Sequence, residues 1–506
     1  MDRRQALKNM FGLSMAAAMT PLPSFANLGH LEADPLKQNA LLFNKALKTE
    51  PNLKGLVGLK QNIAPQTLML EGKLPADFRG TFYRNGPAIH QRQDQRYLHL
   101  FEGDGMIQQF SFTDQGVRHQ AKFVNTNKFV QEQKADKFLF SGPDSKLTDS
   151  LSVTGPDSVN TANTNILPVN GELWALWEEG SATAIEADTL ETKGLVDLGQ
   201  NTKYGNSLKG LPFSAHPKVD PDGTIWNFGS TATGDIVLYH INNRGITQNV
   251  KILKTGYRGH MLHDFLVTHK HLLIILPSLV KDKSKDMLFG AIGFDKRIPM
   301  RVLVVDKQSL TLQREYQLDP GFAFHFGNAW EDQQGTIRFD ASLYPNLDSL
   351  HYMRDIMHGK INHPEPAKTT FFTLYKNGHI TQSEIEGISE FPRVYEHLTG
   401  LKNELLVTLS SVKSDVWSDA VRVINTNTGK QDTFVFGTDF LVEEHVIVDN
   451  TQKEGNGYLI GTALHLPSNR TCINIFKANR VSDGPICRAW LPGVIPLGFH
   501  GNFVAA

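Results

Sequence analysis

The sequence predicts an all-β protein that folds as a single β-propeller, and two observations carry this prediction. From about residue 65 onward, short apolar runs of four to seven residues alternate with clusters of Gly, Pro, Asp and Asn. This pattern is typical of many short antiparallel strands. It continues without a change in composition over about 440 residues. A barrel or sandwich of that size is unusual, whereas a propeller accommodates it readily. No strict repeat of a propeller blade is visible, so strand number and size carry the prediction.

Six apolar runs illustrate the predicted strands, and four dipeptides mark the turns between strands. Asn-Gly and Asp-Gly pairs favour the positive backbone angles of tight hairpin turns. The runs are residues 80–84, 172–177, 224–228, 272–276, 301–305 and 405–409, and the turns are Asn170-Gly171, Asp222-Gly223, Asn377-Gly378 and Asn456-Gly457. On residue pattern alone, the stretches 83–86 and 103–105 are also interpreted as turns.

Helical periodicity is confined to two places. The spacing of Leu36, Ala40, Phe43 and Leu47 predicts helix near the N-terminus, so residues 27–60 are interpreted as an N-terminal helical strap. The second helical stretch runs from residue 347 to residue 358. We expect these helices, with some of the loops, to cover the face of the propeller that carries the active site.

The first 26 residues have the pattern of a twin-arginine export signal. Arg3 and Arg4 precede an apolar stretch at residues 10–19, and a small-residue cleavage site follows near Ala26. The apolar stretch is too short to span a bilayer. Residues 1–26 are therefore predicted to be a signal peptide that directs the protein to the periplasm. A plain amphipathic N-terminus is the alternative interpretation.

Composition excludes two classes of function. The formal net charge is −1, and no basic face is indicated that could neutralise nucleic-acid phosphates. The only two cysteines are Cys472 and Cys487, so a metal site rich in thiolates is excluded as well. The periplasm would permit a disulfide between them. Two separate buried thiols are nevertheless expected, because the two residues do not obviously face each other across the turn between them.

Four histidines lie in similar local settings and are candidate metal ligands. Each is close to an apolar or aromatic residue and to Gly, Pro or Asp; the four are His216, His263, His325 and His500. Their spacings of 47, 62 and 175 residues mean that they must converge from different blades. Imidazole suits Fe, Zn, Cu or Ni. Spacing alone leaves buried core histidines as the alternative. The chain has no HExxH motif, no GxSxG elbow and no Walker loop.

Several segments, in order along residues 50–503, resemble the carotenoid cleavage oxygenases. This superfamily includes the retinal isomerohydrolase and the bacterial lignostilbene dioxygenases. The matching segments are residues 78–87, 99–106, 160–164, 175–178, 215–217, 263–265, 324–328, 390–392 and 498–501. The four histidines stand at the positions of the family's iron ligands.

The resemblance implies a fold and a metal site. It implies a seven-bladed propeller over residues 61–506 that binds one Fe²⁺ through the four histidines. It also implies three glutamates that hold the metal-bound rings in place, as carboxylates commonly do. These are Glu178 for His263, Glu390 for His325 and Glu444 for His500. Two of these assignments could each fall on an adjacent residue, because Glu179 follows Glu178 and Glu443 precedes Glu444.

The reaction that the resemblance implies is cleavage of a conjugated carbon–carbon double bond with O₂ as co-substrate, giving two carbonyl products. A lipophilic carotenoid or apocarotenoid is the expected substrate. The first alternative is a stilbene, because Tyr97 and Lys128 stand near the positions of a substrate-binding Tyr and Lys in lignostilbene dioxygenases. An alternative of another class is a metal-free propeller that serves as a binding scaffold.

Two further features have weaker interpretations. The apolar stretch Met287 to Phe294 is expected to rim a tunnel mouth and to contact a membrane peripherally, with buried loop packing as the alternative. Three other histidines, His351, His358 and His363, are interpreted as exposed or substrate-facing rather than as a second metal site. His260 is not expected to join His263, because the two would share a side only in a helix. The oligomeric state is not predicted.

Overall fold

Seven antiparallel sheets of four or five strands surround one axis in the computed structural model, which describes residues 34–449 and 451–506. Each sheet is one blade of a propeller, and the innermost strands contact each other between blades 1 and 2 and from blade 4 through blade 7 back to blade 1. The predicted all-β propeller is confirmed, with the seven blades that the resemblance implied. The predicted signal peptide, residues 1–26, lies outside the described residues.

From the innermost strand outward, every blade is a run of adjacent antiparallel strands. Blade 1 contains, in this order, Gly501–Ala505, Gly80–Ile89, Asp104–Thr113, Gly116–Phe123 and Ile63–Thr67; blade 2 contains Asn165–Val169, Glu172–Leu176, Thr183–Glu186 and Thr192–Leu195; blade 3 contains Lys218–Val219, Ile225–Ser230, Ile236–Ile241 and Thr247–Leu253; blade 4 contains Leu266–Val267, His271–Leu276, Met300–Asp306 and Leu312–Leu318. Blade 5 contains Phe322–Glu331, Ile337–Tyr344, Lys368–Leu374 and Ile380–Ile388; blade 6 contains Glu390–Arg393, Leu405–Ser410, Ala420–Asn425 and Gln431–Val435; blade 7 contains Phe440–Val448, Tyr458–His465, Arg470–Lys477, Cys487–Trp490 and Met69–Gly72. Two small hairpins pair Gln91–Arg92 with Gln95–Arg96 and Leu279–Lys281 with Ile292–Phe294.

Both ends of the propeller chain contribute to the closure of the ring. The C-terminal strand Gly501–Ala505 pairs with Gly80–Ile89 in blade 1, with Gly80 opposite Ala505. The second strand of the chain, Met69–Gly72, pairs with Cys487–Trp490 in blade 7, with Met69 opposite Trp490. Blades 1 and 7 therefore each join chain segments from opposite ends of the sequence, and the ring cannot open without breaking one of these ladders.

Four α-helices accompany the blades in the described part of the chain: α1 (Pro35–Ala46), α2 (Asn127–Ala135), α3 (Leu288–Ala291) and α4 (Asp348–Asp355). Short 3₁₀ turns occupy Pro51–Leu56, Leu100–Glu102, Pro156–Ser158, Gly205–Leu208, Ile356–His358, Glu396–Leu398 and Val481–Asp483. Within the described residues, the predicted strap is helical over α1 and Pro51–Leu56. The second predicted helix is found as α4 and the turn that follows it. No helix among the described residues is long and apolar enough to cross a membrane.

The strap packs against the main body through an apolar cluster and one buried arginine. Phe43 and Leu56 are buried together with Met357 and Leu497, which come from the turn after α4 and from the segment before the last strand. Arg96 lies beneath the Phe43 ring, 3.3 Å from its centroid, and donates to the backbone oxygen of Leu56. The strap therefore backs onto the chain segment that leads to His500.

The strand and turn predictions are confirmed in most places and wrong in two, and one helix is missed. All six apolar runs lie in strands, and Asn170 and Gly171 have the positive φ values of a hairpin turn, 48° and 83°. Residues 83–86 and most of 103–105, for which the pattern indicates turns, belong instead to the strands Gly80–Ile89 and Asp104–Thr113. Helix α2 is not predicted by the sequence pattern; its start is fixed by Thr126, whose hydroxyl accepts from the Phe129 N–H.

The two cysteines occupy neighbouring strands of blade 7. Both thiols are buried and free. Cys472 lies opposite Trp490, and Cys487 lies opposite Ile475, so the two cysteines are not a facing pair. The expectation of two separate buried thiols is confirmed.

Candidate metal centre

Four blades bring the four histidines together at one end of the propeller axis. His500 directly precedes the innermost strand of blade 1, and His216 and His263 stand just before the innermost strands of blades 3 and 4. His325 lies within the innermost strand of blade 5. One potential ligand nitrogen from each ring lies within 4.8 Å of the others, and all four residues are buried. Among the described residues this is the one group of His, Cys, Asp and Glu side chains close enough to hold a metal ion.

A carboxylate from another blade faces three of the four rings. Glu178, which follows the second strand of blade 2, has Oε1 3.0 Å from Nδ1 of His263 and 3.7 Å from Nδ1 of His216. Glu390, the first residue of blade 6, has Oε2 2.5 Å from Nδ1 of His325. Glu444, in blade 7, has Oε1 3.0 Å from Nδ1 of His500. These distances place the Nδ1 sides of three rings against carboxylates and leave their Nε2 sides for the centre.

The sequence leaves a choice between two adjacent glutamates at two positions, and the structure shows which member of each pair faces a histidine. Glu178 is the member that faces His263, whereas Glu179 is exposed at the wall of the adjoining cavity. Glu444 is the member that faces His500, whereas Glu443 accepts from Arg84 and from the N–H of Gly498.

β-Bulges aim the side chains of the centre. The pairing register shifts between Ala323 and Phe326 in blade 5, an interval that contains His325, between Glu390 and Arg393 in blade 6, and between Val442 and His445 in blade 7. A bulge re-aims one side chain without ending the strand, and bulges are common beside active sites. Within the blade 6 bulge, Phe391 has a positive φ of 49°, and its ring packs 4.8 Å from His325 and 5.2 Å from His500.

Two of the three carboxylates are balanced by neighbours that the sequence pattern does not predict. The Arg393 guanidinium binds both oxygens of Glu444, with N–O distances of 2.8 and 3.0 Å. The Tyr344 hydroxyl donates to Oε1 of Glu390 at 2.9 Å. For Arg393 the sequence holds a weak signal, since this residue follows the Glu390-Phe-Pro motif directly; for Tyr344 it holds none.

Burial and charge set the protonation of the centre. Burial lowers the pKa of His216 well below its usual value, and it lowers the pKa of His500 to about 4 although Glu444 opposes the shift. Burial acts most strongly on the pKa of His263 and lowers it, but the charge and hydrogen bond of Glu178, together with the charges of Asp264 and Glu390, raise that pKa overall. Burial acts most strongly on the pKa of Glu390 and raises it, but His325 and the hydrogen bonds from Phe391 and Tyr344 together lower that pKa. Neutral imidazoles beside ionised carboxylates are the state that binds a metal cation.

The ring nitrogens left over at the centre fit a metal ion. Nε2 of His216 and Nε2 of His500 lie 3.0 Å apart, and Nε2 of His500 is left with a lone pair when its Nδ1–H donates to Glu444. Nε2 of His325 is buried and has no hydrogen-bond partner in the described part of the chain. Buried polar atoms without partners are costly. A cation bound by all the inward nitrogens would satisfy them at once.

A cavity of about 1590 Å³ adjoins the centre, and three of the histidines and all three facing glutamates form part of its wall. The rest of the wall is mostly apolar; examples are Leu151, Leu211, Phe289, Phe324, Met353 and Trp417. The predicted mouth stretch contributes Met287, Leu288, Phe289 and Ile292 to the wall. The volume exceeds the ~300–1,000 Å³ of ordinary small-molecule pockets. Such a space suits a long apolar ligand.

Tyr97 and Lys128 also line the cavity, but their polar atoms are engaged in a buried ionic cluster. Lys128 Nζ lies 2.7 Å from Asp104 and 3.1 Å from Glu132. The Tyr97 hydroxyl donates to Glu132 at 3.2 Å, and Arg92 pairs with Asp104 at 3.0 Å. Contact of Tyr97 or Lys128 with a substrate stays a prediction.

The remaining candidate histidines lie apart from the centre. His351 and His363 are exposed, and Nδ1 of His363 lies 3.3 Å from Asp415. Nδ1 of His358 contacts the backbone oxygen of Arg354 at 2.8 Å. His260 is half-buried at the cavity wall and does not belong to the four-histidine group.

Known proteins match this chain over most of its length. An apocarotenoid-15,15'-oxygenase of Synechocystis is 28% identical over 459 residues, which is 86% of this chain and 92% of that protein. A lignostilbene-alpha,beta-dioxygenase isozyme III of Sphingomonas paucimobilis is 29% identical over 491 residues, 90% of this chain and 98% of that protein. Among solved structures, a variant of the Synechocystis apocarotenoid oxygenase superposes with a TM-score of 0.80 at 24% identity, covering 90% of this chain and 99% of that one.

The sequence profile of the retinal pigment epithelial membrane protein family, RPE65, matches residues 59–505, which is nearly all of the propeller. The seven blades and the structural likeness to the apocarotenoid oxygenase agree with that match. The chain therefore belongs to the RPE65 family of carotenoid cleavage oxygenases.

Proposed function

We propose that the protein is an Fe²⁺-dependent dioxygenase that cleaves a conjugated carbon–carbon double bond of a carotenoid or apocarotenoid, with O₂, to carbonyl products. One observation carries the proposal: four buried histidines, three of them faced by carboxylates, stand beside a large apolar cavity. The donor set alone suits several transition metals. Family membership favours iron.

The residues of the centre and of the cavity would have distinct roles. His216, His263, His325 and His500 would hold the iron, and Glu178, Glu390 and Glu444 would fix three of the rings. When bound, the ferrous ion supplies the activation of O₂. The apolar wall excludes water and holds a polyene in one orientation, and Phe324 and Phe391 pack beside His263 and His325 respectively.

The cavity favours a polyene over a stilbene. The two relatives differ little in identity to this chain, 28% for the apocarotenoid oxygenase and 29% for the lignostilbene dioxygenase. The cavity volume of about 1590 Å³ is larger than a two-ring stilbene needs. Lys128 is already paired with two carboxylates, so it is poorly placed to bind a phenol without giving up a partner.

Metal analysis followed by one product assay tests the proposal. Protein reconstituted anaerobically with Fe²⁺ should bind about one ion per chain and, in air, convert an apocarotenal into two aldehydes or ketones. Cleavage of a 4-hydroxystilbene but not of the apocarotenal would overturn the substrate assignment. A protein that cannot be loaded with Fe²⁺ would instead be the metal-free scaffold.

We also propose that the cavity mouth contacts a membrane peripherally to collect its lipophilic substrate. Met287, Leu288 and Phe289 are half-buried at the cavity wall, and the exposed Lys283 and Lys285 precede them. Apolar side chains flanked by lysines suit an anionic bilayer surface. Cosedimentation with anionic vesicles should weaken in Phe289→Ser; undiminished binding by this variant would contradict the assigned surface.

We propose further that the protein is exported to the periplasm by the twin-arginine route. The paired Arg3 and Arg4 before the apolar stretch support this, and the route accepts proteins that have folded around a cofactor. The double substitution Arg3→Lys/Arg4→Lys should retain the protein in the cytoplasm of a bacterial host. Unchanged export of that variant, measured by cell fractionation, would contradict the proposal.

A further inference from the structure

Two adjacent buried carboxylates in blade 7 do different work. Successive residues of a strand normally point to opposite faces. Here the pairing register of the innermost strand shifts between Val442 and His445, and this bulge lets both Glu443 and Glu444 reach the segment 496–501. Glu444 contacts His500 and the N–H of Gly501. Glu443 contacts the part of the segment that precedes His500.

Glu443 and Arg84 together hold the main chain just before His500. Oε1 of Glu443 accepts from the Gly498 N–H at 2.5 Å and from the Arg84 guanidinium, and Oε2 accepts from the Thr462 hydroxyl at 2.6 Å. Arg84 also donates to the backbone oxygen of Pro496 at 2.7 Å. The buried ion pair thus binds the main chain at residues 496 and 498.

The segment that carries His500 depends on such outside contacts. Residues 493–500 form neither helix nor strand. The segment is held by hydrogen bonds from Leu497 N–H to Gly55 and from Phe499 N–H to Asn85, at 3.0 and 2.9 Å. Gly498 also fits tightly, since a Cβ at this position would collide with the Arg84 guanidinium. A small displacement of this segment would move the His500 ring directly.

We infer that Glu443 is a positioning residue for His500: through Arg84 and the main chain at Pro496 and Gly498, it sets where this ring stands in the metal centre. A buried ion pair adds little stability over apolar residues of the same volume, because desolvation offsets the attraction. The Arg84–Glu443 ion pair contacts the main chain just before His500, so its role is to position that residue rather than to add stability. The inference rests on the metal-binding part of the proposed function and does not depend on the substrate.

Titration of the metal-free full-length protein with Co²⁺ tests this inference without turnover. Glu443→Gln keeps the size of the side chain but removes its charge. We expect Co²⁺ to bind about tenfold more weakly, with a changed visible absorption spectrum, since partners of metal-bound histidines commonly contribute 10–100-fold to affinity. Thr462→Val, which removes one donor to Glu443, is expected to shift the affinity in the same direction by a smaller factor.

Glu331→Gln is the matched control. Glu331 is a buried carboxylate in the innermost strand of blade 5, where it faces His271 at 2.9 Å and accepts from the Thr268 hydroxyl. It stands six residues beyond His325, about 20 Å along the strand at ~3.3 Å per residue. This variant is expected to lower Tm while leaving the Co²⁺ affinity and spectrum unchanged.

The outcomes separate positioning from plain stability. If Glu443→Gln lowers Tm but binds Co²⁺ with the wild-type affinity and spectrum, the inference is overturned and Glu443 is only structural. If Glu443→Gln does not fold, Thr462→Val decides: weaker binding supports the inference, and unchanged binding overturns it. A wild-type protein that binds no Co²⁺ or Fe²⁺ would overturn the proposed function and this inference with it.

Discussion

Two buried polar clusters face the same cavity, and they differ in whether their charged and polar groups pair with one another. In the ionic cluster, the cations Arg92 and Lys128 lie against the carboxylates of Asp104 and Glu132, so the charges balance within the protein. In the metal centre, ring nitrogens from different blades face one another, and Nε2 of His325 has no partner in the described part of the chain. A cluster whose charges balance one another serves the fold, whereas one that leaves several ring nitrogens around a common centre is arranged for a bound ion.

Removal of one histidine should break the metal centre, and this is the largest effect that we predict. His263→Ala and His500→Ala each delete one of the four proposed ligands and remove the imidazole that faces Glu178 or Glu444. We expect loss of Fe²⁺ binding and at least a ~10³-fold loss of cleavage activity, because the metal carries the chemistry. Metal content and product formation measure the effect.

His260→Ala is the control for these variants. His260 also lines the cavity, but it lies outside the four-histidine group. It should keep a full complement of iron. Substantial cleavage by His263→Ala or His500→Ala would refute the four-ligand site, and loss of iron from His260→Ala would show that any change in the cavity wall disturbs the metal.

The ionic cluster should respond in stability rather than in metal binding. Lys128→Met removes a cation that is only 3% exposed and leaves Asp104 and Glu132 with Arg92 alone. Breaking a buried pair in this way typically costs about 3–5 kcal/mol. Denaturant unfolding should show that loss, while the metal content of the folded protein stays at the wild-type value.

An exposed pair supplies the control for Lys128. Lys193 bridges Glu172 and Glu186 at 2.8 and 2.9 Å, but its side chain is 41% exposed. Lys193→Met should therefore change the unfolding free energy by no more than about 1 kcal/mol. If Lys128→Met instead left stability intact and released the metal, the contrast between the two clusters would be wrong.

Buried histidines outside the metal centre should make the metal-free protein sensitive to acid. Burial lowers the pKa of His119 to about 3, against 6.5 for an unburied histidine. In the unfolded chain, His119 is therefore protonated below about pH 6.5. In the folded protein it stays neutral down to about pH 3. Stability from this residue is present above about pH 6.5 and is lost as the pH falls, by about 1.4 kcal/mol per pH unit.

His119→Gln isolates that contribution. Gln keeps a polar side chain beside Gln108, which contacts His119 at 2.8 Å, but it cannot take up the proton. We measure the slope of the unfolding free energy against pH between about pH 6 and pH 4. In this variant the slope should be smaller by about 1.4 kcal/mol per pH unit, which corresponds to one proton. An unchanged slope would mean that His119 is protonated in the folded protein.

The sequence predicts the strands and identifies the candidate ligands, but it does not predict how the side chains of the metal centre are oriented. Apolar runs such as 272–276 specify strands locally, and the resemblance of the segments around His263 and His500 to the family's motifs selects these two among 19 histidines. The bulges at Glu390 and Glu444 depend on how neighbouring strands pair, which no local pattern encodes. The distinct contacts of Glu443 and Glu444 arise from one such bulge. Helix α2 escapes prediction because only Lys128, Phe129 and Glu132 of its nine residues are buried, which leaves almost no apolar stripe.

The smallest expected effect concerns the partner of one carboxylate. Tyr344 donates one hydrogen bond to Oε1 of Glu390, whereas Oε2 of Glu390 faces His325 and accepts from the Phe391 N–H. Tyr344→Phe removes only that one donor. A hydrogen bond to an ionised carboxylate contributes about 1.5–3 kcal/mol, but Glu390 keeps its contacts with His325 and Phe391, so only part of this reaches the metal and the Fe²⁺ affinity should fall by about 2–10-fold. Anaerobic metal titration of the apoprotein measures this change.

Tyr239→Phe is the control, because its buried hydroxyl donates to the backbone oxygen of Pro212 at 2.8 Å and has no contact with a glutamate of the centre. The free energy of unfolding should fall by a similar amount in Tyr239→Phe and in Tyr344→Phe, but Tyr239→Phe should bind Fe²⁺ with unchanged affinity. If Tyr344→Phe also left the affinity unchanged, His325 and the bulge would hold Glu390 without help. The metal centre would then owe its geometry to the backbone of blade 6 alone. A loss well above tenfold would instead show that the tyrosine ring position itself depends on the hydroxyl, and that the cavity wall and the metal centre form one connected unit.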